Sequence, residues 1–116
     1  MIRRKSGVQV VALALILMLS GADLMAQKRI SFRRGASSAT VRGRIGGNGY
    51  LEYVVNGRAG QVMSIEITSG NGAVVVNAGT ATGKSFSVDM SGGDHLLSVV
   101  NQGRGPTSYA LTVSIR

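Results

Sequence analysis

Apolar and polar residues alternate along most of the chain after residue 27, and glycine-rich segments interrupt the alternation roughly every eight to twelve residues. Successive side chains of a β-strand point to opposite faces of a sheet, so this pattern is typical of a β-sandwich or barrel. We therefore predict an all-β fold, a single antiparallel, jelly-roll-like β-sandwich of about eight strands. The predicted strands are "KRISFR", "SATVRGRI", "YLEYVVN", "QVMSIEIT", "AVVVNA", "KSFSVDM", "DHLLSVV" and "TSYALTVSIR".

The same alternation predicts which side chains form the core. Tyr50, Glu52 and Val54 are expected to face solvent, and so are Arg42 and Arg44, whose charges keep a sheet from pairing with another molecule. The facing of "AVVVNA" is left open, because the segment is almost wholly apolar. The residues predicted to point inward are Ala39, Val41, Ile45, Leu51, Tyr53, Val55, Met63, Ile65, Ile67, Phe86, Val88, His95, Leu97, Val99, Tyr109, Leu111, Val113 and Ile115.

The first 26 residues have the pattern of a secretory signal peptide. A positively charged start, "MIRRKSG", precedes an apolar run, "VQVVALALILML", that is too short to span a bilayer, and small residues follow it. We predict cleavage after Ala26 or, as a second choice, after Ala22. Residues 1–26 are then the signal peptide and residues 27–116 the β-sandwich domain. The alternative is an N-terminal anchor that stays uncleaved.

The charge of the predicted domain is strongly positive. Arg3, Arg4, Lys5 and Asp23 belong to the predicted signal peptide, so ten of the 13 basic and four of the five acidic residues remain, a net charge of +6. The sequence has no cysteine, which excludes disulfide bonds. A basic exported domain is expected to bind an anionic partner. We expect a periplasmic or secreted protein without stable membrane insertion after cleavage, and the sequence leaves its oligomeric state open.

Four predicted loops each carry one basic residue. If consecutive strands run antiparallel, every second loop lies at the same end of the sandwich. Counted in this way, Arg34, Arg58, Lys84 and Arg104 share one end, while Tyr50 begins a strand at the opposite end. If "AVVVNA" is not a strand, Lys84 and Arg104 move to the other end. The alternative is that these charges are ordinary solvated loop residues.

Two glutamates form the candidate catalytic pair. A three-residue hairpin loop, Arg58-Ala59-Gly60, with Gly60 in the left-handed conformation, would set Glu52 opposite Glu66. Two neighbouring carboxyl groups can serve a glycoside hydrolase as acid and base. The sequence offers neither an aromatic-lined cleft nor an orienting partner for them, so we predict no catalytic residues and no enzyme.

Other kinds of chemistry lack the residues that they need. Asp94 and His95 are neighbours on a strand and point to opposite faces, which excludes a relay between them, and we expect His95 to pack inward. Zinc requires three or four clustered ligands, and none cluster here, so no metal or cofactor is predicted. Nucleic acid is not an expected partner, because the basic residues are not interleaved with aromatic ones.

Several segments carry a family resemblance, namely "FRRGASSATVRGRI", "YLEYVV" followed by "RAGQVMSIEI", "GGDHLLSVV" and "SYALTVSI". Through them, residues 30–115 resemble the periplasmic inhibitors of goose-type lysozyme and, more distantly, the small β-sandwich modules found after secreted peptidases. The resemblance implies a non-catalytic sandwich that blocks a muramidase by presenting tyrosine and arginine side chains to its substrate cleft.

The resemblance also implies particular contact residues. Tyr50 and Tyr53 match tyrosines of the family's third strand, and Arg104 lies in the loop before the last strand, where the family carries several arginines. Here that loop is short and keeps one arginine. We predict a lysozyme-type muramidase as the partner, and the candidate partner-binding residues are Arg104, Tyr50, Arg58, Arg34 and Lys84. The alternative partner is an anionic polymer of the cell envelope, peptidoglycan or lipopolysaccharide, held by charge.

Overall fold

The computed structural model describes residues 27–116, which form two β-sheets packed face to face. The predicted all-β sandwich is confirmed, with nine strands in place of about eight. The predicted signal peptide and both cleavage positions lie outside the described residues. No helix within residues 27–116 is long and apolar enough to cross a membrane. The strands are β1 (Lys28–Arg29), β2 (Ser38–Ile45), β3 (Tyr50–Gly57), β4 (Val62–Ser69), β5 (Val74–Ala78), β6 (Ala81–Gly83), β7 (Ser85–Asp89), β8 (Gly93–Asn101) and β9 (Thr107–Ile115).

The chain alternates between the two sheets. The first sheet has the strand order β1-β3-β8-β5-β6, and the second has the order β2-β9-β4-β7. Neighbouring strands are antiparallel except β1 and β3, which are parallel. Every connection between the described strands crosses from one sheet to the other, apart from the short turn between β5 and β6. Most loops are therefore arches over the core and do not join paired strands.

The core lies between the sheets and follows the predicted alternation. In β2, for example, Ala39, Val41 and Ile45 are at least partly buried, while Thr40 and Arg42 are exposed. β5 is a strand, and its facing is now clear, because Val74 and Val76 are buried. The largest fully buried side chains are Met63, Ile65, Leu97, Leu111, Val55, Val74, Val76, Val99, Val113 and Asn101.

Val54 differs from the prediction, because it is buried although its side chain points to the outer face of the first sheet. It has a strand on each side: Arg29 of β1 and Leu96 of β8 are its register partners. The backbone N–H of Ile30 also donates to the Val54 carbonyl, at 2.9 Å. The two-residue strand β1 thus covers a position that solvent would otherwise reach.

A pair of buried tyrosines joins the two sheets. The hydroxyl oxygens of Tyr53 on β3 and Tyr109 on β9 lie 2.6 Å apart, within hydrogen-bonding distance. Burial, together with this hydrogen bond, raises the pKa of Tyr109 well above its usual value. Tyr53 is therefore a core residue, and it does not present a surface to a partner as the family resemblance implied.

Candidate functional site

Three loops meet at one end of the sandwich, which we call the three-loop end. They are residues 46–49 between β2 and β3, residues 70–73 between β4 and β5, and residues 102–106 between β8 and β9. The register places their strand ends side by side, since Ile45 pairs with Thr107 and Val74 pairs with Asn101. Both sheets contribute to this end.

Asn101 holds the three loops together. Its side chain is fully buried, and its amide Nδ2 donates to the carbonyl oxygens of Gly46 at 3.0 Å and Gly105 at 2.9 Å. Its Oδ1 accepts from the backbone N–H of Gly103 at 2.9 Å and from the Asn71 amide at 3.2 Å. One side chain thus satisfies polar groups of all three loops in a place that solvent does not reach.

Further contacts bring the loop that carries Arg104 against its neighbour. The backbone N–H of Asn48 donates to the Gly103 carbonyl at 2.9 Å. Gly47 lies so close to the backbone carbonyl of Arg104 that a Cβ atom at position 47 would overlap it. Asn48 itself has a φ of 56°, the left-handed conformation that asparagine tolerates better than most residues. The backbone of this end is therefore closely packed.

The three-loop end presents Tyr50 and Arg104 to solvent. Tyr50 begins β3 with 52% of its surface exposed, and it is the more exposed of the two large hydrophobic side chains that face solvent among the described residues. Tyr50 pairs with Val100, and Val100 pairs with Val75. These three apolar side chains therefore form a row across the outer face of the first sheet. Arg44 lies at the same end of the second sheet, opposite Ser108.

The expectation that four cations gather at one end is wrong. Arg34 lies before β2, in a loop whose Ser37 carbonyl accepts from the N–H of Ile115, and Arg58 follows β3. Because β2 pairs Ser38 with Ser114, both loops lie at the end opposite Arg104. The cause is strand β6, which adds one reversal of the chain and so moves Arg104 to the end where Tyr50 begins β3.

Lys84 lies at neither end of the sandwich. It occupies the turn between β6 and β7, where its carbonyl oxygen accepts from the N–H of Ile67 at 2.8 Å. Ile67 is within β4, and so Lys84 is at a side edge of the sandwich, in the half nearer the three-loop end. Of the five candidate partner-binding residues, only Tyr50 and Arg104 therefore share the three-loop end.

The paired-carboxylate expectation is also wrong. Glu52 lies opposite Ser98 in the first sheet, and Glu66 lies opposite Thr112 in the second. The loop between β3 and β4 crosses between sheets and is not a hairpin, although Gly60 has the predicted left-handed conformation, with φ at 89°. The two carboxyl groups have no shared setting in which one could act as acid and the other as base.

Asp94 and His95 point to opposite faces, as predicted. Two guanidinium nitrogens of Arg29 donate to the Asp94 carboxylate at 3.0 Å each, and the Asn56 amide donates to it at 3.1 Å. These hydrogen bonds lower the pKa of Asp94 to about 2. His95 is half-buried, and its Nε2–H donates to the Ser91 carbonyl at 2.8 Å. Residues 27–116 contain no group of three or more side chains that could hold a metal ion.

Solved structures with the same fold include proteins of two kinds. The periplasmic inhibitor of g-type lysozyme from Aeromonas hydrophila is 22% identical with a TM-score of 0.69, over 78% of this chain and 96% of the other. The corresponding inhibitor from Salmonella Typhimurium is 22% identical with a TM-score of 0.62, over 78% and 97%. The pre-peptidase C-terminal domain of a Bacillus anthracis collagenase is 19% identical with a TM-score of 0.58, over 78% and 95%.

These similarities agree with both relationships suggested by the sequence, and they extend over nearly the whole of each matched structure. At such low identity they establish the shared β-sandwich fold. No protein-family model matches the sequence. No curated protein matches it either.

Asn101 is not one of the predicted site residues, although the sequence contains a signal for it. The inward positions of β8 are His95, Leu97 and Val99, and the next inward position is Asn101. A polar side chain that continues a buried series must find hydrogen-bond partners inside the fold. That signal indicates a buried amide, but it does not indicate which loops the amide joins.

Proposed function

We propose that this protein is a non-catalytic inhibitor of a g-type lysozyme, exported to the periplasm or beyond, and that it binds the enzyme through the three-loop end. The observation that carries the proposal is that Tyr50 and Arg104 are exposed at one end, on a backbone fixed by Asn101. The shared fold with two g-type lysozyme inhibitors supports it.

The physical argument concerns charge and rigidity. Glycoside hydrolases hold carboxyl groups beside the scissile bond, so their clefts attract cations. An arginine that enters such a cleft can form paired, charge-assisted hydrogen bonds with a carboxylate. Tyrosine and arginine are also the residues that most often dominate binding energy in interfaces. A loop that is already ordered loses little conformational entropy on binding, which favours Arg104 over a cation on a free loop.

An inhibition assay tests the proposal, with a goose-type lysozyme acting on suspended bacterial cells. We expect wild-type protein to inhibit at micromolar concentration or below, and Arg104→Ala and Tyr50→Ala each to weaken inhibition by about tenfold or more, the size typical of a central interface residue. Arg34→Ala and Arg58→Ala remove the same charge at the opposite end and should change inhibition by less than about twofold. If wild-type protein does not inhibit, the proposal is wrong.

A second candidate function is binding of an anionic cell-envelope polymer. The observation in its favour is that Arg42, Arg44 and Arg104 are all exposed, and that the single ion pair among the described residues joins Arg29 to Asp94 instead. Exposed charges are screened by salt, so retention on peptidoglycan or lipopolysaccharide should fall steeply between low and physiological ionic strength. Retention that is unaffected by salt would exclude this function.

A further inference from the structure

Strand β8 is paired along its whole length on one side and along only half of it on the other. On the β3 side, the register runs from Gly93 to Val100. On the β5 side, pairing covers Ser98 to Asn101 and then stops, because the chain turns after Ala78 into β6. Residues 93–97 of β8 thus have no strand beside them on that side within the described part of the chain.

The open edge offers backbone hydrogen-bonding groups. The N–H of Asn101 donates toward β3, to the Gly49 carbonyl, and the N–H of Gln102 donates toward β5, to the Ala73 carbonyl. Because the peptide groups of successive residues point to opposite sides of a strand, the even-numbered residues of β8 direct theirs toward β5. The N–H and C=O groups of Leu96 and Asp94 therefore point to the side where no strand lies.

A groove of about 750 Å³ lies at this open edge. Leu96 lines it and is 43% exposed, and the groove is also bordered by His95, by the turn from Ala78 to Ala81 and by residues 87–89 of β7. Asp89 and Asp94, two of the four acidic residues in the described part of the chain, line it as well. None of its lining residues is lysine or arginine, although ten basic residues lie in the same part of the chain. Because Asp94 is paired with Arg29, Asp89 is the acidic side chain of the groove that has no ion-pair partner among the described residues.

We propose that this groove binds an extended, cationic peptide segment of another protein. The segment pairs with β8 at Leu96 and Asp94, on the side of β8 where the pairing with β5 has ended. Addition of a strand to a sheet edge draws its affinity from main-chain hydrogen bonds and its selectivity from the pockets beside them. Here Asp89 selects a lysine or arginine of the segment, because Asp94 already pairs with Arg29. This surface lies away from the three-loop end, so the two sites can be occupied together.

Titration of the isotope-labelled protein with synthetic peptides, followed by amide NMR signals, tests this site. The probe is an acetylated heptapeptide of alternating lysine and valine, whose extended length of about 23 Å, at about 3.3 Å per residue, covers the open edge of roughly 17 Å with about one residue to spare at each end. We expect shifts at Leu96, Asp94 and Val88, and slower hydrogen exchange at the N–H of Leu96. Two comparison peptides carry glutamate in place of lysine or N-methyl groups on the backbone, and both should bind at least about tenfold more weakly.

Matched variants separate this groove from general charge attraction. Asp89→Lys should weaken binding of the lysine peptide about tenfold, while Glu66→Lys, the same reversal on the outer face of the second sheet, should change it less than about twofold. Several outcomes overturn the proposal: no shifts at millimolar peptide, equal binding of either comparison peptide, or shifts confined to the three-loop end. Concentration-dependent shifts at Leu96 without peptide would instead identify a second copy of this chain as the occupant.

Discussion

The two ends of the sandwich are closed by different kinds of side chain. At the three-loop end, the buried amide of Asn101 makes directional hydrogen bonds to three separate loops. At the opposite end, the buried side chain of Met90 fills the interior, and backbone hydrogen bonds link Met90 to Gly60 and Gln61. Apolar packing tolerates small shifts, whereas hydrogen bonds weaken quickly when their geometry changes. The three-loop end is therefore the one suited to present side chains in fixed positions.

The largest effect is expected from Asn101→Ala. The substitution leaves buried or half-buried groups of the loops without partners, and each such group costs about 1–3 kcal/mol. We expect a loss of about 3–4 kcal/mol in the free energy of unfolding, measured by chemical denaturation. Met90→Ala, at the opposite end, should lose about 2–3 kcal/mol through its cavity. Of these two variants, only Asn101→Ala should shift the amide NMR signals of the three loops. If Asn101→Ala lowers the free energy of unfolding by less than about 1 kcal/mol, the role given to Asn101 is wrong.

A pair of glycines gives a smaller and more local comparison. A methyl group at Gly47 would overlap the Arg104 carbonyl, whereas one at Gly92, at the opposite end, would meet nothing within 4 Å. Gly47→Ala should therefore lower the free energy of unfolding by about 1–3 kcal/mol and weaken the lysozyme inhibition that we propose for the three-loop end, because the Arg104 loop must move. Gly92→Ala should stay within about 0.5 kcal/mol of wild type. Equal stability of the two variants would show that the loops at residues 47 and 104 do not constrain each other.

The smallest effect is expected at the surface ion pair between Arg29 and Asp94. The pKa of Asp94 is about 2 in the folded protein, below its ordinary value of about 4, so the folded state binds fewer protons there than the unfolded chain. The resulting stabilisation is complete above about pH 4 and is lost as the pH falls toward 2. Wild type should thus have a slightly higher Tm than Asp94→Asn at pH 6, measured by circular dichroism. The difference should vanish near pH 2, and one that persists there would have another cause.

Alternation along the sequence predicted much of the fold because it reports directly on burial. The inward positions of β4 and β9 are buried as expected, among them Ile65, Leu111 and Val113, except Ile115 at the end of β9, which is partly buried. Alternation does not report which strands pair, since a short glycine loop can form either a hairpin or an arch between sheets. The loop after β3 is an arch, and the predicted opposition of Glu52 and Glu66 was wrong for that reason.

The candidate site was harder to predict, because it depends on the number of strands. β6 has only three residues, "ATG", which is too short to show any alternation. An alternation pattern that misses β6 predicts the wrong end for Arg104 and groups it with Arg34 and Arg58. Val54 was assigned to solvent for a similar reason, since the strand beside it, β1, has two residues. The wrong predictions for Arg104 and Val54 thus both come from short strands, whose pairing depends on the surrounding fold and not on their own sequence.

The central position of β9 has a consequence for how the chain acquires its structure. β9 lies between β2 and β4 in the second sheet, yet it is the last strand of the sandwich to be synthesised. Neither β2 nor β4 can reach its main partner until residues 107–115 have emerged, so folding cannot proceed stepwise from the first strand. Such long-range pairing makes folding slow. The second sheet consequently cannot close over the core before β9 has been made, although β3, β5 and β8 of the first sheet can pair without it.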